Sequence, residues 1–352
     1  MTRNMRLLAS ASVLAATAVA ASPAFAAGTT AGTTVTNSVT LDYKVGGIDQ
    51  SQVTATDSFK VDRKVNLTVS EVGTQTTTVT PGQTGAVTAF TVSNASNAPL
   101  DFALSATQPS GGSAAHTGTD NYNVSNLKVY ADTNSNGAYD AGTDQEAAYL
   151  DQVAADTSRT VFVVADVPLG RTTGDVAAVK LSATASEATA AGSLGGTVTQ
   201  STGANTSEVD TVFADADTNG NVARDGIHFA VDDYTILGAA LSATKTSRVI
   251  SDPFNGTTSP KMIPGAVVEY CIAVANAANS ATASAINISD EVPAQTTYDP
   301  AFGIKLNGTV TGGACNADGA SGGSYTNGIV SGSLADIAAG NAKTLVFRVS
   351  VN

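Results

Sequence analysis

The chain has 352 residues, with 30 Asp and Glu against 17 Lys and Arg, and a formal net charge of -13. This acidity excludes nucleic acid as the main partner, because affinity for a phosphate backbone comes largely from Lys and Arg displacing counterions. At roughly 150 residues per domain, the length predicts about two domains. The chain has no Trp and only 5% aromatic residues, and its many small and β-branched side chains favour strands and turns.

The N-terminus has the features of a secretion signal. Arg3 and Arg6 precede an apolar run at residues 7–21, and residues 24–26 have the small-x-small pattern of a cleavage site. The run of about 15 residues is shorter than the roughly 20 that span a bilayer, so a cleaved signal peptide is favoured over a membrane anchor. We predict cleavage after Ala26 and export from a bacterial cell, with no transmembrane segment in the mature chain.

Apolar residues then alternate with polar ones in two stretches on either side of Gly46-Gly47. They are Val35, Val39, Leu41, Tyr43 and Val45 in the first stretch, and Val53, Ala55, Phe59 and Val61 in the second. Alternation predicts strands and the paired glycines predict a tight turn with positive φ, so residues 27–63 form a predicted β-hairpin. A lone hairpin is marginal in water, so this one docks either on the sheet of the next domain or on a neighbouring molecule.

From Lys64 onward, short strand patterns alternate with turn clusters such as Pro81-Gly82 and Ser110-Gly111-Gly112. The sequence shows no long helical period after the signal, and short strands separated by such turns are typical of antiparallel sandwiches. We predict an all-β chain with a first β-sandwich over residues 64–186 and a second over residues 241–352. Residues 187–240 are predicted to be a linker or extra strands with an acidic loop.

The two halves of the chain repeat each other. Pro81-Gly82 with the strand pattern at residues 89–97 matches Pro264-Gly265 with residues 271–279. A further match, between residues 159–164 and 343–348, keeps the offset between 182 and 184. Three matches in the same order indicate a tandem duplication.

The second half resembles the bacterial surface-protein repeat known as domain of unknown function 11. The resemblance is carried by Leu241 to Thr246, Ile263-Pro264-Gly265, Tyr270 to Asn276, the corner Asp290-Glu291-Val292-Pro293 and Thr297-Tyr298. It covers residues 241–352, while the first half lacks the Asp-x-x-Pro corner. The resemblance implies two tandem immunoglobulin-like sandwiches in a cell-wall, surface-layer or adhesin-like protein, and it implies no catalytic residues.

One acidic loop has the spacing of a calcium-binding loop. Oxygen-bearing side chains stand at loop positions 1, 3, 5 and 9 with Gly137 at position 6, an arrangement that wraps hard oxygen ligands around Ca²⁺. The predicted ligands are Asp132, Asn134, Asn136, the Ala138 carbonyl, Asp140 and, in place of the Glu expected at position 12, Asp144. An Asx-rich turn is the alternative, because tight turns use the same residue types.

A second loop repeats part of this spacing. Asp215, Asp217 and Asn219 stand at positions 1, 3 and 5 before Gly220, and Asn221 and Asp225 follow. Position 9 is Ala223, so we treat this loop as the weaker calcium candidate.

Cys271 and Cys315 are the only cysteines. An even count in an exported protein predicts one disulfide, which closes a loop of roughly 45 residues and adds about 4 kcal/mol in the chain-entropy model. A pair of free buried thiols is the alternative.

The sequence gives little support for a catalytic function. His116 and His228 lie far apart, and we predict both to be surface or loop residues. The G-x-S-x-G spacing occurs at Gly319 to Gly323, but the sequence shows no helical period after it and so predicts no strand-to-helix elbow there. Nothing selects a carboxylate pair for glycoside hydrolysis. We therefore predict that the protein is not an enzyme.

Two classes of function fit these features. The first is an exported structural subunit of a surface layer, fibre or extracellular matrix, stiffened by calcium, in which residues 27–45 pair with a neighbouring sheet edge or another cell-surface component. The alternative is a calcium-dependent adhesin that binds a glycan or a host surface through loops. Its contact surface is then Tyr122, Tyr130, Tyr139 and Tyr149 around the Asp132 loop, although the absence of Trp disfavours a sugar platform.

Overall fold

A computed structural model describes residues 28–218 and 220–352. The predicted signal peptide with its cleavage site after Ala26, and the predicted calcium ligand Asn219, lie outside the described residues. Throughout the described part all regular structure is β, which confirms the predicted all-β class. In the same residues there is no helix long and apolar enough to cross a membrane.

The N-terminal segment forms the predicted hairpin. Strands β1 (Thr34–Leu41) and β4 (Val53–Lys60) pair antiparallel over eight residue pairs, and β2 (Lys44–Val45) pairs with β3 (Ile48–Asp49) at the tip. Gly46 and Gly47 form the turn with φ of 61° and 83°, values that glycine adopts without strain. Within the described residues β1 and β4 pair only with each other, so the hairpin does not complete the sheet of the first sandwich.

The first sandwich contains the next thirteen strands. They are β5 (Arg63–Val65), β6 (Leu67–Glu71), β7 (Thr77–Val79), β8 (Ala86–Asn94), β9 (Leu100–Thr107), β10 (Ser125–Ala131), β11 (Gln145–Glu146), β12 (Tyr149–Val153), β13 (Thr157–Asp166), β14 (Val176–Ala188), β15 (Leu194–Thr197), β16 (Thr211–Phe213) and β17 (Ile227–Ile236). One sheet has the order β11-β10-β13-β8-β6, and the other has the order β12-β9-β14-β17-β7 with β15 beside β14. Phe90, Phe102, Leu181 and Tyr234 are fully buried in its core.

Residues 187–240 are extra strands of this sandwich. β17 pairs with β14 over nine residue pairs, so the first sandwich extends to Ile236, well beyond residue 186. Two contacts depart from the predicted antiparallel pattern, because β7 runs parallel to β17 and β5 runs parallel to β16. The long connections between these strands allow a parallel pairing, which a tight hairpin turn does not.

The second sandwich contains eleven strands. They are β18 (Leu241–Ser251), β19 (Val267–Asn276), β20 (Ile286–Glu291), β21 (Thr296–Tyr298), β22 (Ile304–Gly308), β23 (Val310–Thr311), β24 (Ala314–Cys315), β25 (Ala320–Ser321), β26 (Ser324–Thr326), β27 (Ile329–Leu334) and β28 (Ala342–Val351). One sheet has the order β18-β19-β28-β22-β25, with β21 beside β28, and the other has the order β20-β27-β26. Val330, Ile337, Leu345 and Phe347 are fully buried in the core.

Both units have immunoglobulin-like sandwich architecture, and their topologies repeat. The order β11-β10-β13-β8-β6 in the first sandwich matches β25-β22-β28-β19-β18 in the second, strand for strand. A buried Asn ends the fourth strand of each series, β8 in the first sandwich and β19 in the second. Asn94 Nδ2 donates to the carbonyls of Ala98 and Val153, and Asn276 Nδ2 donates to those of Ala281 and Ile337.

The predicted disulfide joins Cys271 to Cys315, whose Cα atoms are 5.8 Å apart. Cys271 lies on the outer side of β19 beside Val346, and Cys315 ends the short strand β24. The bond therefore fixes the β23–β24 loop against the outer face of the larger sheet.

Candidate functional site

The hairpin carries an apolar face that is open to solvent. Residues directly opposite in an antiparallel pair share a face, and three such pairs are apolar: Val35 with Phe59, Val39 with Ala55 and Leu41 with Val53. Val39 is 62% exposed and Phe59 is 61% exposed. The opposite face carries Thr and Ser, including the hydrogen bond of 3.0 Å between the Ser38 and Thr56 hydroxyls. Such a face on a two-stranded sheet indicates a binding surface.

The base of the hairpin is fixed to the first sandwich. Asn97 Nδ2 donates to the Thr29 carbonyl at 3.1 Å, and Asn97 also accepts from the Lys64 amide at 2.8 Å. Lys60 Nζ lies 2.6 Å from Glu208 Oε2. The rest of the hairpin is exposed on both faces, so its direction is set at the base while its apolar face is free.

A second exposed apolar surface lies on one side of the second sandwich. Between β18 and β20 runs a groove of about 400 Å³. Its apolar lining comes from Ala243, Ile272, Val274, Ile286 and Ile288. We call this feature the β18–β20 groove. Lys245 crosses it, with Nζ 2.7 Å from Asp290 Oδ1, and Asp290 Oδ2 is buried without a hydrogen-bond partner.

A cluster of ionisable groups lies in the first sandwich. His116 Nε2 is 3.0 Å from Glu71 Oε1 and 3.2 Å from Asp232 Oδ1, and the His116 amide donates to Asp233 Oδ2 at 3.0 Å. One group of three metal-binding side chains occurs in the described part of the chain. It consists of Glu71, His116 and Asp232, whose potential ligand atoms all lie within 4.8 Å of one another. They could hold a transition-metal ion. A protonated His116 bonded to the two carboxylates accounts for the same distances.

Burial and charge shift the titration of this cluster. Burial raises the pKa of Asp232 to about 7. Burial opposes protonation of His116, but the charges of Glu71, Asp233 and Asp232 outweigh it and raise the pKa of His116. His116 lies in a loop between strands, as predicted. The sequence did not reveal its carboxylate partners.

The Asp132 loop connects β10 to β11, and its side chains hydrogen-bond to its own backbone. Asp132 accepts from the amides of Asn136 at 3.3 Å and Gly137 at 2.9 Å. Asp144 accepts from the amides of Thr133 at 3.1 Å and Asp140 at 2.7 Å. Asp132 and Asp144, the first and last predicted calcium ligands, therefore both bind backbone amides of the same loop.

The remaining predicted ligands are also tied together. Asp140 Oδ2 accepts from Asn134 Nδ2 at 2.9 Å and Asn136 Nδ2 at 2.6 Å, and these bonds lower the pKa of Asp140. The Asn136 side chain accepts from the Ala138 amide at 2.8 Å. An Asx-rich turn makes such bonds without a metal, so calcium binding here remains a prediction.

The Asp215 loop is organised differently. Asp215 accepts from the amides of Asp225 and Gly226, and Asn221 accepts from the Phe229 amide at 2.6 Å. Asp225 Oδ1 accepts from the Ile227 amide. Three of the described candidates thus bind backbone that leads into β17, while Asp217 is exposed.

His228 corrects a prediction, because it is buried in the core-facing side of β17 instead of exposed. Its Nδ1 accepts from the Val69 amide at 3.0 Å, so the ring proton lies on Nε2, 3.0 Å from the Thr218 hydroxyl. In this tautomer Nε2 donates and cannot accept the Thr218 proton. The pair therefore lacks the geometry of an activated nucleophile.

The four tyrosines considered for glycan binding do not form one surface. Tyr130 and Tyr139 are in edge contact, with centroids 5.1 Å apart, and Tyr139 also contacts Phe162. Tyr122 is buried and its hydroxyl donates to the Tyr234 carbonyl at 3.3 Å. The Tyr130 and Tyr139 pair is thus part of the sheet surface beside the Asp132 loop, apart from Tyr122.

Comparisons with known proteins give distant structural likenesses. No protein-family model matches the chain, and the comparison with curated proteins gives no match. The chain is similar to the C-terminal domain of the AgI/II polypeptide BspA of Streptococcus agalactiae, with 9% identity, a TM-score of 0.32, and coverage of 81% of this chain and 91% of that domain. It is also similar to the collagen adhesin of S. aureus, at 13% identity, a TM-score of 0.20, and coverage of 83% and 84%. A putative membrane anchored protein of Corynebacterium diphtheriae gives 11% identity, a TM-score of 0.19, and coverage of 91% and 89%. Likenesses of this size do not assign a function.

Proposed function

We propose that the chain is an exported, non-catalytic structural subunit of a bacterial surface layer, fibre or extracellular matrix, and that it self-associates through its N-terminal hairpin. The observation that carries the proposal is the apolar face of β1 and β4, which is open to solvent along its whole length. A two-stranded sheet gains too little from its own pairing to be stable alone. A covering surface stabilises the hairpin and removes its apolar face from water.

Export is supported by the N-terminal sequence pattern and by the disulfide between Cys271 and Cys315. Disulfides persist in oxidising compartments outside the cytosol. We also propose that the second sandwich, and with it the first, belongs to the surface-protein repeat family that the sequence resembles. The shared strand order of the two sandwiches supports a duplicated repeat.

A non-catalytic role is supported by the two histidines. The tautomer of the buried His228 cannot activate the Thr218 hydroxyl. His116 is held between carboxylates, and no hydroxyl or thiol of the described residues bonds to its ring. Both arrangements serve packing and charge balance in the described part of the molecule.

The experiment is size-exclusion chromatography with light scattering on the mature protein from Ala27, over a range of concentrations. We expect multimers in the unchanged chain. Val39→Asp places a charge on the apolar face and should give a monomer, whereas Thr40→Asp, the matched control on the Thr and Ser face, should assemble as the unchanged chain does. If the unchanged chain is monomeric at every concentration, the proposal is overturned.

We further propose that Ca²⁺ binds the Asp132 loop and stiffens the connection from β10 to β11. The proposal is supported by the position of five oxygen-bearing side chains on one wound loop, in the order that calcium loops use. An extracellular calcium concentration of about 10⁻³ M is high enough to occupy a weak site of this class. Isothermal titration calorimetry with CaCl₂ should show binding that Asp132→Asn abolishes and that Asp336→Asn, at an exposed carboxylate outside both acidic loops, leaves unchanged. Absence of binding at 10 mM, a concentration of about ten times that level, would identify the loop as an Asx turn only.

A further inference from the structure

We infer that the β18–β20 groove is the receptor for the N-terminal hairpin of a second copy of this chain, so that molecules join head to tail. The inference rests on the proposed function and deepens it, because it names the surface that covers the hairpin. It follows from what occupies the same place in the first sandwich.

In the first sandwich two further strands lie where the second sandwich has its groove. β9 pairs with β12 on one side and with β14 on the other, and β14 pairs with β17. The counterpart of β9 is β20, which pairs with β27 only, as far as the described residues extend. The free edge of β20 therefore presents unpaired backbone groups to an added strand.

The extra strands change the burial of equivalent residues on β6 and β18, the edge strands of the two matching sheets. Leu67 pairs with Asn94 and Val69 with Val92, and both Leu67 and Val69 are buried beneath β17. Leu241 pairs with Asn276 and Ala243 with Val274 in the same register, but these two residues are exposed. Among the residues that the structure describes, no strand covers the inner side of β18, and the counterpart of the missing cover in the first sandwich is a pair of antiparallel strands.

The hairpin has the form of that missing pair. β14 and β17 are antiparallel strands paired over nine residues, and β1 and β4 are antiparallel strands paired over eight. A strand pair added to a sandwich needs one apolar face toward the facing sheet and one polar face toward water. The hairpin meets this need, with its valines, Leu41 and Phe59 on one face and Thr and Ser on the other.

Charge complementarity favours the same placement. The one acidic side chain on the apolar face of the hairpin is Asp57, opposite Asn37. The groove presents one cation on the inner side of β18, Lys245, which pairs with Ile272 in register. Lys245 is 41% exposed in its ion pair with Asp290, so it remains accessible to the Asp57 carboxylate of an inserted hairpin.

The geometry of the chain favours a second copy as the source of the hairpin. The hairpin base is fixed to the first sandwich through Thr29, Lys60 and Asn97, and the groove lies in the other sandwich. Each molecule then offers one hairpin and one groove. Such a head-to-tail contact repeats from molecule to molecule and gives a ring when the rotation closes and a filament when it does not.

The test mixes two full-length mature variants, each defective at one end. Val39→Asp removes the donor face but keeps the groove, and Ala243→Glu places a charge in the groove but keeps the hairpin. Because Val39 and Ala243 are both exposed, neither change disturbs a core, and circular dichroism checks the fold. Ser242→Glu, on the adjacent residue facing the other side of β18, is the matched control for the groove.

Size-exclusion chromatography with light scattering should find each variant monomeric alone and a dimer, of twice the monomer mass, when they are mixed. The Ser242→Glu control should form multimers as the unchanged chain does. If Ala243→Glu still forms multimers, or if the mixture stays monomeric while the unchanged chain assembles, the groove is not the receptor, and the proposed self-association stands. If the unchanged chain is itself monomeric, the proposed function fails first.

Discussion

Leu67 and Leu241 occupy the same position in the two repeats, opposite Asn94 and Asn276 respectively, yet Leu67 is fully buried and Leu241 is 47% exposed. The sheet that contains each leucine has the same strand order in both sandwiches. The difference lies in the facing sheet, where β17 packs against β6 and no described strand packs in the same way against β18.

This pair gives a direct test of the asymmetry. Leu67→Ala should lower the free energy of unfolding of the first sandwich by about 3 kcal/mol, because it removes fully buried methyl groups and leaves a cavity. Leu241→Ala should change the stability of the second sandwich by less than about 0.5 kcal/mol when the protein is monomeric. Urea denaturation of both variants at low protein concentration measures the two effects. Equal losses would contradict an open second sandwich.

The buried asparagines that end β8 and β19 should contribute equally to the stability of their sandwiches. Asn276→Ala removes the donor for the carbonyls of Ala281 and Ile337 and should destabilise the second sandwich by about 2 kcal/mol, because buried acceptors lose their partners. Asn94→Ala should act in the same way on the first sandwich. Scanning calorimetry of each variant should show one shifted transition. A variant that melts like the unchanged chain would contradict the shared structural role.

The cluster of Glu71, His116 and Asp232 predicts a pH dependence of stability. Asp232 has a folded pKa of about 7 against 3.8 in a model peptide, and the pKa of His116 is also raised. Both groups hold protons more tightly in the folded state, so their contribution is complete below about pH 4 and is lost as the pH rises through 7.

Asp232→Asn removes the main part of this effect. Between pH 5 and pH 8, in EDTA, the unchanged first sandwich should lose on the order of 2 kcal/mol more stability than the variant, because the Asp232 carboxyl loses its proton over this range and one pKa unit corresponds to about 1.4 kcal/mol. Urea denaturation at both pH values gives the comparison. Asp42→Asn, at an exposed position of the hairpin outside its apolar face, is the control and should keep the profile of the unchanged chain. Identical profiles for the Asp232 variant and the unchanged chain would contradict the assignment.

The disulfide should stabilise the second sandwich alone. Reduction, or the double change Cys271→Ala with Cys315→Ala, should lower its free energy of unfolding by about 2 to 4 kcal/mol, because the 44-residue separation of the cysteines leaves a long loop unconstrained in the unfolded chain. Calorimetry with and without reductant should show one shifted transition and one unchanged. A shift in the first sandwich would contradict the separation of the two cores.

The sequence by itself determined the local features of this protein. Alternation at residues 35–45 and 53–61 specified the hairpin, because a strand has a side-chain period of two. The Gly46-Gly47 pair specified its turn, because glycine adopts positive φ without strain. The only two cysteines specified the disulfide, and the three repeated segments anticipated the matching strand orders of the two sheets.

Only the tertiary structure decided which segments meet. His116 finds Glu71 at a separation of 45 residues and Asp232 at 116, distances in sequence over which periodicity carries no information. The acidic segment before residue 240 supplies β17 to the core, and strands β1 and β4 pair with each other without joining a sheet of the first sandwich in the described residues. Strand pairing and burial depend on the surfaces that distant segments offer to each other, so the exposed hairpin face and the β18–β20 groove emerge only once both sandwiches are assembled.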